Sequence, residues 1–157
     1  TCNFDLSNHF DDDLLLIRKH SPHTIITIVY REAVNNSYYI KRFQVEDFDK
    51  KLSFLDENSG DEMITYALDT YPRLEIVYPE DTAKKVASEI IEITEFIAVK
   101  GYKAKGKRVT TFEVKEFNWL EPLPEPEFES DTDEDNPEED NNDRMGYAEG
   151  TQRELFE

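Results

Sequence analysis

Short apolar runs separated by polar turn material set the pattern of this chain. Apolar residues gather at positions 14–17, 25–30, 38–45, 63–68, 74–78, 97–99 and 109–114. Between them stand polar stretches such as Asn35-Asn36-Ser37, the run ENSGDE at 57–62, and Tyr71-Pro72-Arg73. The runs are rich in β-branched and aromatic residues, which suit a pleated, half-buried surface. No helical period regularly separates them, so the spacing predicts an all-β meander and not βαβ units. One segment reads two ways. Asp81 or Thr82 is placed to cap a helix of about two turns reaching Glu89 or beyond. The β-branched residues Val86, Ile90, Ile91 and Ile93 favour a strand over 86–93 instead, and the strand is the preferred reading.

An internal repeat is suggested by two segments, FQVEDF at 43–48 and FEVKEF at 112–117, which share F-x-V-x-x-F. Each follows an apolar run and a polar loop, with Val29 ahead of Phe43 and Val99 ahead of Phe112. Two copies of a strand, loop, strand, bend unit predict about two consecutive blades of a radial β-architecture.

Charge divides the chain. Of its formal net charge of −18, the residues from 121 to 157 carry −13, with fifteen acids against Arg144 and Arg153. Residues 1–120 carry the remaining −5. A globular segment over 1–122 and a disordered acidic tail over 123–157 are therefore expected, because the tail has too little apolar surface to offset chain entropy. The single cysteine, Cys2, forms no intrachain disulfide and fits a reducing compartment. No apolar run approaches the roughly 20 residues a membrane span needs, so a cytoplasmic protein without a membrane partner is expected. The chain opens on Thr1 without Met and reads as a piece of a larger protein.

Catalytic and metal chemistry find little support. His20-x-x-His23 and Cys2 lack paired-ligand spacing, and no P-loop, G-x-S-x-G or G-x-G-x-x-G is present. The DTDEDNPEED run at 131–140 lacks the turn glycine of a calcium loop. A hydrolase would need a convergent polar pocket that these residues do not assemble.

The acid-free run KGYKAKGKR at 100–108 changes the picture. It sets Lys100, Lys103, Lys105, Lys107 and Arg108 beside Tyr102, with Gly101 and Gly106 giving the backbone freedom to turn. Such a loop suits a phosphate backbone, where Lys supplies point charge and Arg a bidentate fork. Arg31, Lys41 and Arg42 from the first repeat would extend the stripe if the two blades lie side by side. Five neutralised phosphates imply a slope of about −4.5 in log K against log salt. No recognition helix or zinc-finger spacing is visible, so backbone contact with bent duplex is expected, not base readout.

The stretches TIITIVYREAVNNSYYIKRFQV and EITEFIAVKGYKAKGKRVTTFEVKEF resemble the C-terminal domain of the A subunit of bacterial type IIA topoisomerases, namely topoisomerase IV and DNA gyrase. The similar elements are I-x-x-V-Y-R, Y-I-K-R-F-x-V and F-I-A-V-K-G-x-x-A-K-G-x-x-V-T-x-F-x-V, over about residues 11–121. The resemblance implies a β-pinwheel, a propeller-like disc whose basic rim bends double-stranded DNA, here as a partial domain. It implies DNA binding at Lys100, Lys103, Lys105, Lys107 and Arg108, with Arg31, Lys41 and Arg42 as lesser contributors. It also implies a topoisomerase, an isomerase whose catalytic residues, ATP and Mg2+ belong to other segments. The rest of the A subunit and the ATPase B subunit are its implied partners. The glutamine-arginine-arginine-glycine-glycine box of gyrase-type wrapping is absent, which favours the topoisomerase IV type.

The tail is expected to compete with DNA for the basic loop as an intramolecular mimic. Its end, TQRELFE, places Gln152, Leu155 and Phe156 in the Q-x-x-L-F pattern of peptides that dock on the bacterial sliding clamp. The rival reading is a propeller-like protein-interaction module with an acidic tail and no DNA contact.

Overall fold

The computed structural model describes residues 7, 9–10, 12–46 and 50–127. The fold is all-β, in two antiparallel sheets with the character of partial pinwheel blades. Seven strands occur in the described residues: β1 Ile25–Glu32, β2 Ser37–Gln44, β3 Glu62–Ala67, β4 Arg73–Val77, β5 Ser88–Glu92, β6 Lys107–Thr110 and β7 Glu116–Leu120. A single helical turn, α1 Ile93–Phe96, follows β5. The preferred strand reading over 86–93 holds for 88–92 as β5, whereas Val86 lies outside any strand and Ile93 opens α1. The runs at 14–17 and 97–99 join no strand, and of the run at 109–114 only 109–110 do, as the end of β6.

Sheet order explains the end of that strand. The first sheet runs β3-β1-β2-β6 and the second β5-β4-β7. Strand β6 leaves its own unit to pair with β2, through Ile40 opposite Lys107 and Tyr39 opposite Arg108. The chain then bends across and returns as β7 beside β4. Phe112 sits in that crossing, 39% exposed, whereas Phe43 is 2% exposed inside β2. Val29 is buried in β1, and Val99 is exposed outside any strand. The F-x-V-x-x-F likeness is therefore not the structural repeat, and Phe48 lies outside the described residues.

The repeat that the structure contains has a period of 48. Ile28-Val29-Tyr30-x-Glu32 in β1 recurs as Ile76-Val77-Tyr78-x-Glu80 from β4. The hairpin register recurs with it, since Ile28 opposes Lys41 and, 48 residues on, Ile76 opposes Glu89. The second unit is a hairpin, then a strand lent to the first sheet, β6, then a strand that returns to its own, β7; the first unit shows the hairpin and the returning strand, β3.

Side-chain alternation gives each sheet two different faces. Val29 and Ile40 of the first sheet pack on Leu74, Ile76 and Tyr78 of the second, with Ile93 and Ile97 closing this core. Burying each aliphatic side chain there contributes about 1.5–3 kcal/mol. Tyr38 meets Phe117 edge-on at 5.3 Å between ring centres, and the Trp119 indole donates to Thr65 Oγ1 at 2.9 Å, so aromatic groups tie the sheets at both sides. On the opposite face of the first sheet, Ile28, Tyr30, Tyr39 and Phe43 are covered by Phe54, Leu55 and Tyr102. Strand β2 is thus enclosed on both faces and both edges. The hairpin before it turns through Asn36 at φ 49, a left-handed conformation that asparagine tolerates better than most residues.

Candidate nucleic-acid interface

The enclosure of β2 removes two of the expected contacts. Lys41 and Arg42 are each only 4% exposed. Buried cations must spend their donors on nearby acceptors. Arg42 donates to the carbonyls of Thr70 at 2.8 Å and Ile97 at 3.4 Å, stitching the link between β3 and β4 to the segment after α1. Lys41 Nζ donates to the Phe54 carbonyl, and burial pushes its ammonium below the ordinary lysine range. Arg42 is pushed down by the same cause, with Tyr71 opposing. Neither is available to phosphate; both are structural. Arg31 is more open, yet its guanidinium donates to Glu62 at 2.7 Å, so the stripe expected to run from the first repeat into the loop does not form.

The loop itself is built against β2. At Gly106, φ is +90, and a Cβ there would stand 2.4 Å from the Ile40 carbonyl oxygen and 2.8 Å from Lys41 Cβ. Only glycine allows so close an approach in that conformation. Above it, the Tyr30 hydroxyl donates to the Lys105 carbonyl. Burial, then the nearby Asp61 and Glu32 charges, push the Tyr30 phenol well up, so it remains a donor throughout the working pH range. The Ala104 amide closes a turn onto the Gly101 carbonyl at 3.0 Å, and the Lys100 amide joins the loop's start to Arg42 O at 2.9 Å. The loop is thus fixed at both ends and in the middle.

Its five cations divide by partner. Lys105 Nζ donates to Glu32 and stands 4.9 Å from the Tyr39 ring centre, so it clamps the loop to the first sheet while its side chain stays exposed. The hydrogen bond from Lys105, then one from Asn35, hold Glu32 below its ordinary value of 4.5. Lys107 is exposed, donates one hydrogen bond to the Phe96 carbonyl at 3.1 Å and keeps its other donors for solvent. Lys103 is exposed beside Tyr102, with Nζ 5.8 Å from the ring centre. Lys100 and Arg108 are exposed with no acid paired to them among the described residues. Four cations, Lys100, Lys103, Lys107 and Arg108, therefore face water from a segment that holds its shape. Sequence reasoning missed Glu32, which lies 73 residues before Lys105, and Tyr30.

Because Glu32 is depressed in the folded chain, the pairing stabilises the fold above pH 4.5 and is lost as pH falls through the lowered value. Glu32→Gln should accordingly lower the melting temperature at pH 7, and the gap to the unaltered chain should shrink towards pH 3. Paired thermal melts at the two pH values check this; an equal gap at both would contradict it.

Little else here suits chemistry. Tyr78, Lys84 and Glu89 form a compact polar trio, with Lys84 donating to both partners at 2.7 Å, and it ties the long loop between β4 and β5. The groove beside the basic loop, about 470 Å3, is lined by Gln44, Glu46, Leu52, Val99, Lys100, Gly101 and Tyr102. The His20 ring faces the Val45 carbonyl oxygen at 2.9 Å. Among the described residues there is no group of three or more side chains able to hold a metal, and no helix long and apolar enough to cross a membrane. Of the expected acidic tail only 123–127 are described, with the Leu123 amide donating to the Tyr71 carbonyl at 2.9 Å; the rest, including the peptide of Gln152, Leu155 and Phe156, lies outside the described residues.

Two antiparallel sheets of partial blades with a cationic loop seated on β2 define a class of all-β blade modules. Within that class the family model for the topoisomerase C-terminal domain of Bacteroidota matches residues 1–121, and the chain belongs to that family. No curated protein and no solved structure matches it. The chain is thus a topoisomerase segment, and its natural associates are the rest of a topoisomerase and its DNA.

Proposed function

We propose that this chain is the non-catalytic DNA-holding segment of a topoisomerase A subunit. It contacts the duplex backbone through Lys100, Lys103, Lys107 and Arg108 and bends or positions the segment on which the rest of the enzyme acts. The observation that carries the reading is the rigid, acid-free loop: four exposed cations on a backbone pinned to β2 by Gly106, Tyr30 and Lys105. A fixed array of charges loses less entropy on binding than four free side chains on a mobile loop would. Absence of the gyrase-type glutamine-arginine-arginine-glycine-glycine box favours the topoisomerase IV type, with decatenation or relaxation in preference to supercoiling. In that setting ATP, Mg2+ and the catalytic residues belong to other segments, the ATPase B subunit is a partner, and the enzyme works in the cytoplasm on the nucleoid.

The tail bears on the same surface. Twelve net negative charges, those of residues 123–157, are tethered to the domain and compete with phosphate for the loop at the ranges over which charges act in physiological salt, about 8 Å. Removing residues 123–157 should tighten binding to plasmid DNA in a gel-shift series, most strongly at low salt. Unchanged affinity would show that the tail does not compete. An absence of DNA binding even by the shortened chain at low salt would favour the rival protein-interaction module. Clamp docking through Gln152, Leu155 and Phe156 is a separate proposal, tested by whether a peptide of residues 151–157 binds the clamp.

A further inference from the structure

The groove of about 470 Å3 beside the basic loop has two walls of unlike chemistry. One is the start of the loop itself, Val99 to Tyr102; the other is the end of β2 and the segment after it, with Gln44, Glu46 and Leu52. The volume lies within the roughly 300–1,000 Å3 of small-ligand sites. The loop wall is held in place, since the Lys100 amide donates to the Arg42 carbonyl at 2.9 Å and the Ala104 amide to the Gly101 carbonyl at 3.0 Å. Between these two anchors the space is open: a Cβ built on Gly101 would find nothing within 4 Å.

Each lining group matches a part of one nucleotide. Lys100 is exposed and belongs to the row of cations assigned to phosphate. Tyr102 brings an aromatic ring, seated on the Ile28, Tyr30, Tyr39 and Phe43 cluster, and exposed Val99 adds apolar surface beside it. Such a ring is a stacking platform, because every base has a π-face. The opposite wall carries acceptors. Gln44 gives its amide nitrogen to the His23 carbonyl at 3.4 Å, which leaves its oxygen to accept. Glu46 is exposed, and its carboxylate repels phosphate. The wall that carries it therefore suits the amine-bearing edge of a base, as carboxylates accept from the exocyclic amine of cytosine.

We infer that the groove receives one unpaired, amine-bearing base of the DNA held on the basic loop, stacked on Tyr102 with its edge towards Gln44 and Glu46. The inference rests on the DNA-holding reading and adds to it a preference for duplex that carries an unpaired nucleotide. Paired sequence stays unread, because a base inside the duplex is stacked and hydrogen-bonded, whereas an unpaired one leaves the stack at much smaller cost. A peptide fits less well. An acidic one would meet Glu46 and a basic one Lys100, whereas a nucleotide carries its anion and its amine on different parts.

Fluorescence anisotropy with the 157-residue chain at low salt tests this on duplexes that differ at one central position. They carry a single cytosine bulge, a thymine bulge, an abasic bulge, or no bulge. The abasic bulge bends as readily as the others but has no base, so it separates base capture from ease of bending. The cytosine bulge should bind about 10-fold tighter than the abasic one, and tighter than the thymine bulge. Gly101→Leu should abolish that preference by filling the groove, with melting temperature and affinity for the paired duplex unchanged. Equal affinity for cytosine and abasic bulges would overturn the inference and leave the groove to a peptide or small molecule, with the DNA-holding reading intact. Equal affinity for cytosine and thymine would overturn the edge contacts given to Gln44 and Glu46. A preference that survives Gly101→Leu, or a lower melting temperature in that variant, would overturn it too, since the base would then sit elsewhere or the groove would not be open. No binding to any of the duplexes would overturn this inference and the DNA-holding reading alike.

Discussion

Gly106→Ala should lower the melting temperature and weaken DNA binding together, while Gly101→Ala should do neither. The two glycines sit five residues apart in one loop, but only Gly106 has a positive φ and a neighbour in its way. A Cβ at Gly106 meets the Ile40 carbonyl and Lys41 Cβ, and both belong to a strand held on its two edges by β1 and β6. That strand has no room to yield. Left-handed backbone costs a non-glycine residue about 1–2 kcal/mol and overpacking about 1–3 kcal/mol, giving about 2–5 kcal/mol in all. At roughly 4 °C per kcal/mol, where the ranges for smaller and larger domains meet, melting should fall by about 8 °C or more. At Gly101 nothing lies within 4 Å of the added atom, so the change should stay within about 0.5 kcal/mol. Calorimetric melts of the two variants check the pair. Equal stability in both would mean that the loop is not seated on β2.

Replacing Lys100, Lys103, Lys107 and Arg108 with alanine should remove most of the salt-sensitive DNA binding and leave the melting temperature nearly unchanged. These side chains are exposed, and among the described residues only Lys107 of the four makes a hydrogen bond to the fold, on the Phe96 carbonyl, with its ammonium 4.3 Å from the Phe96 ring centre. With four phosphates neutralised, the unaltered chain should lose about 150-fold in affinity between about 50 and 200 mM salt, and the variant almost none. Lys105 is left out of the set for a physical reason: its ammonium is engaged with Glu32, so Lys105→Ala should act through loop position and register in the melt. A variant that kept the salt dependence would relocate the interface.

What could be read from the residues alone followed from local chemistry. The strands β1 to β5 follow from runs of β-branched and aromatic residues, and β5 is a strand where Ile90 and Ile91 fit a pleat, although Ile93, read with them, opens the helical turn. The basic loop was visible as five cations without an acid. Exchange of β6 was not visible, because Val109 to Val114 reads as one apolar run and nothing local marks the step from one sheet to another. The same exchange buried Lys41 and Arg42. Their alternation suits a half-exposed strand, but β6 and the segment carrying Phe54 enclose β2, so a cation reads as surface when it is in fact a staple. The period of 48 is carried by Ile-Val-Tyr-x-Glu, a short likeness that the more conspicuous phenylalanine spacing obscures. Pairing of Lys105 with Glu32 depends on a contact across 73 residues, beyond any local pattern.

Binding of a random-sequence duplex to residues 1–122, across about 50–200 mM salt, bears most directly on whether this β-module holds DNA by its basic loop. With the tail removed nothing competes, and four contacts predict a slope of about −3.6 in log K against log salt, indifferent to base sequence. No binding at the lowest salt, or affinity that does not change across the range, would contradict the assignment of Lys100, Lys103, Lys107 and Arg108 to the phosphate backbone.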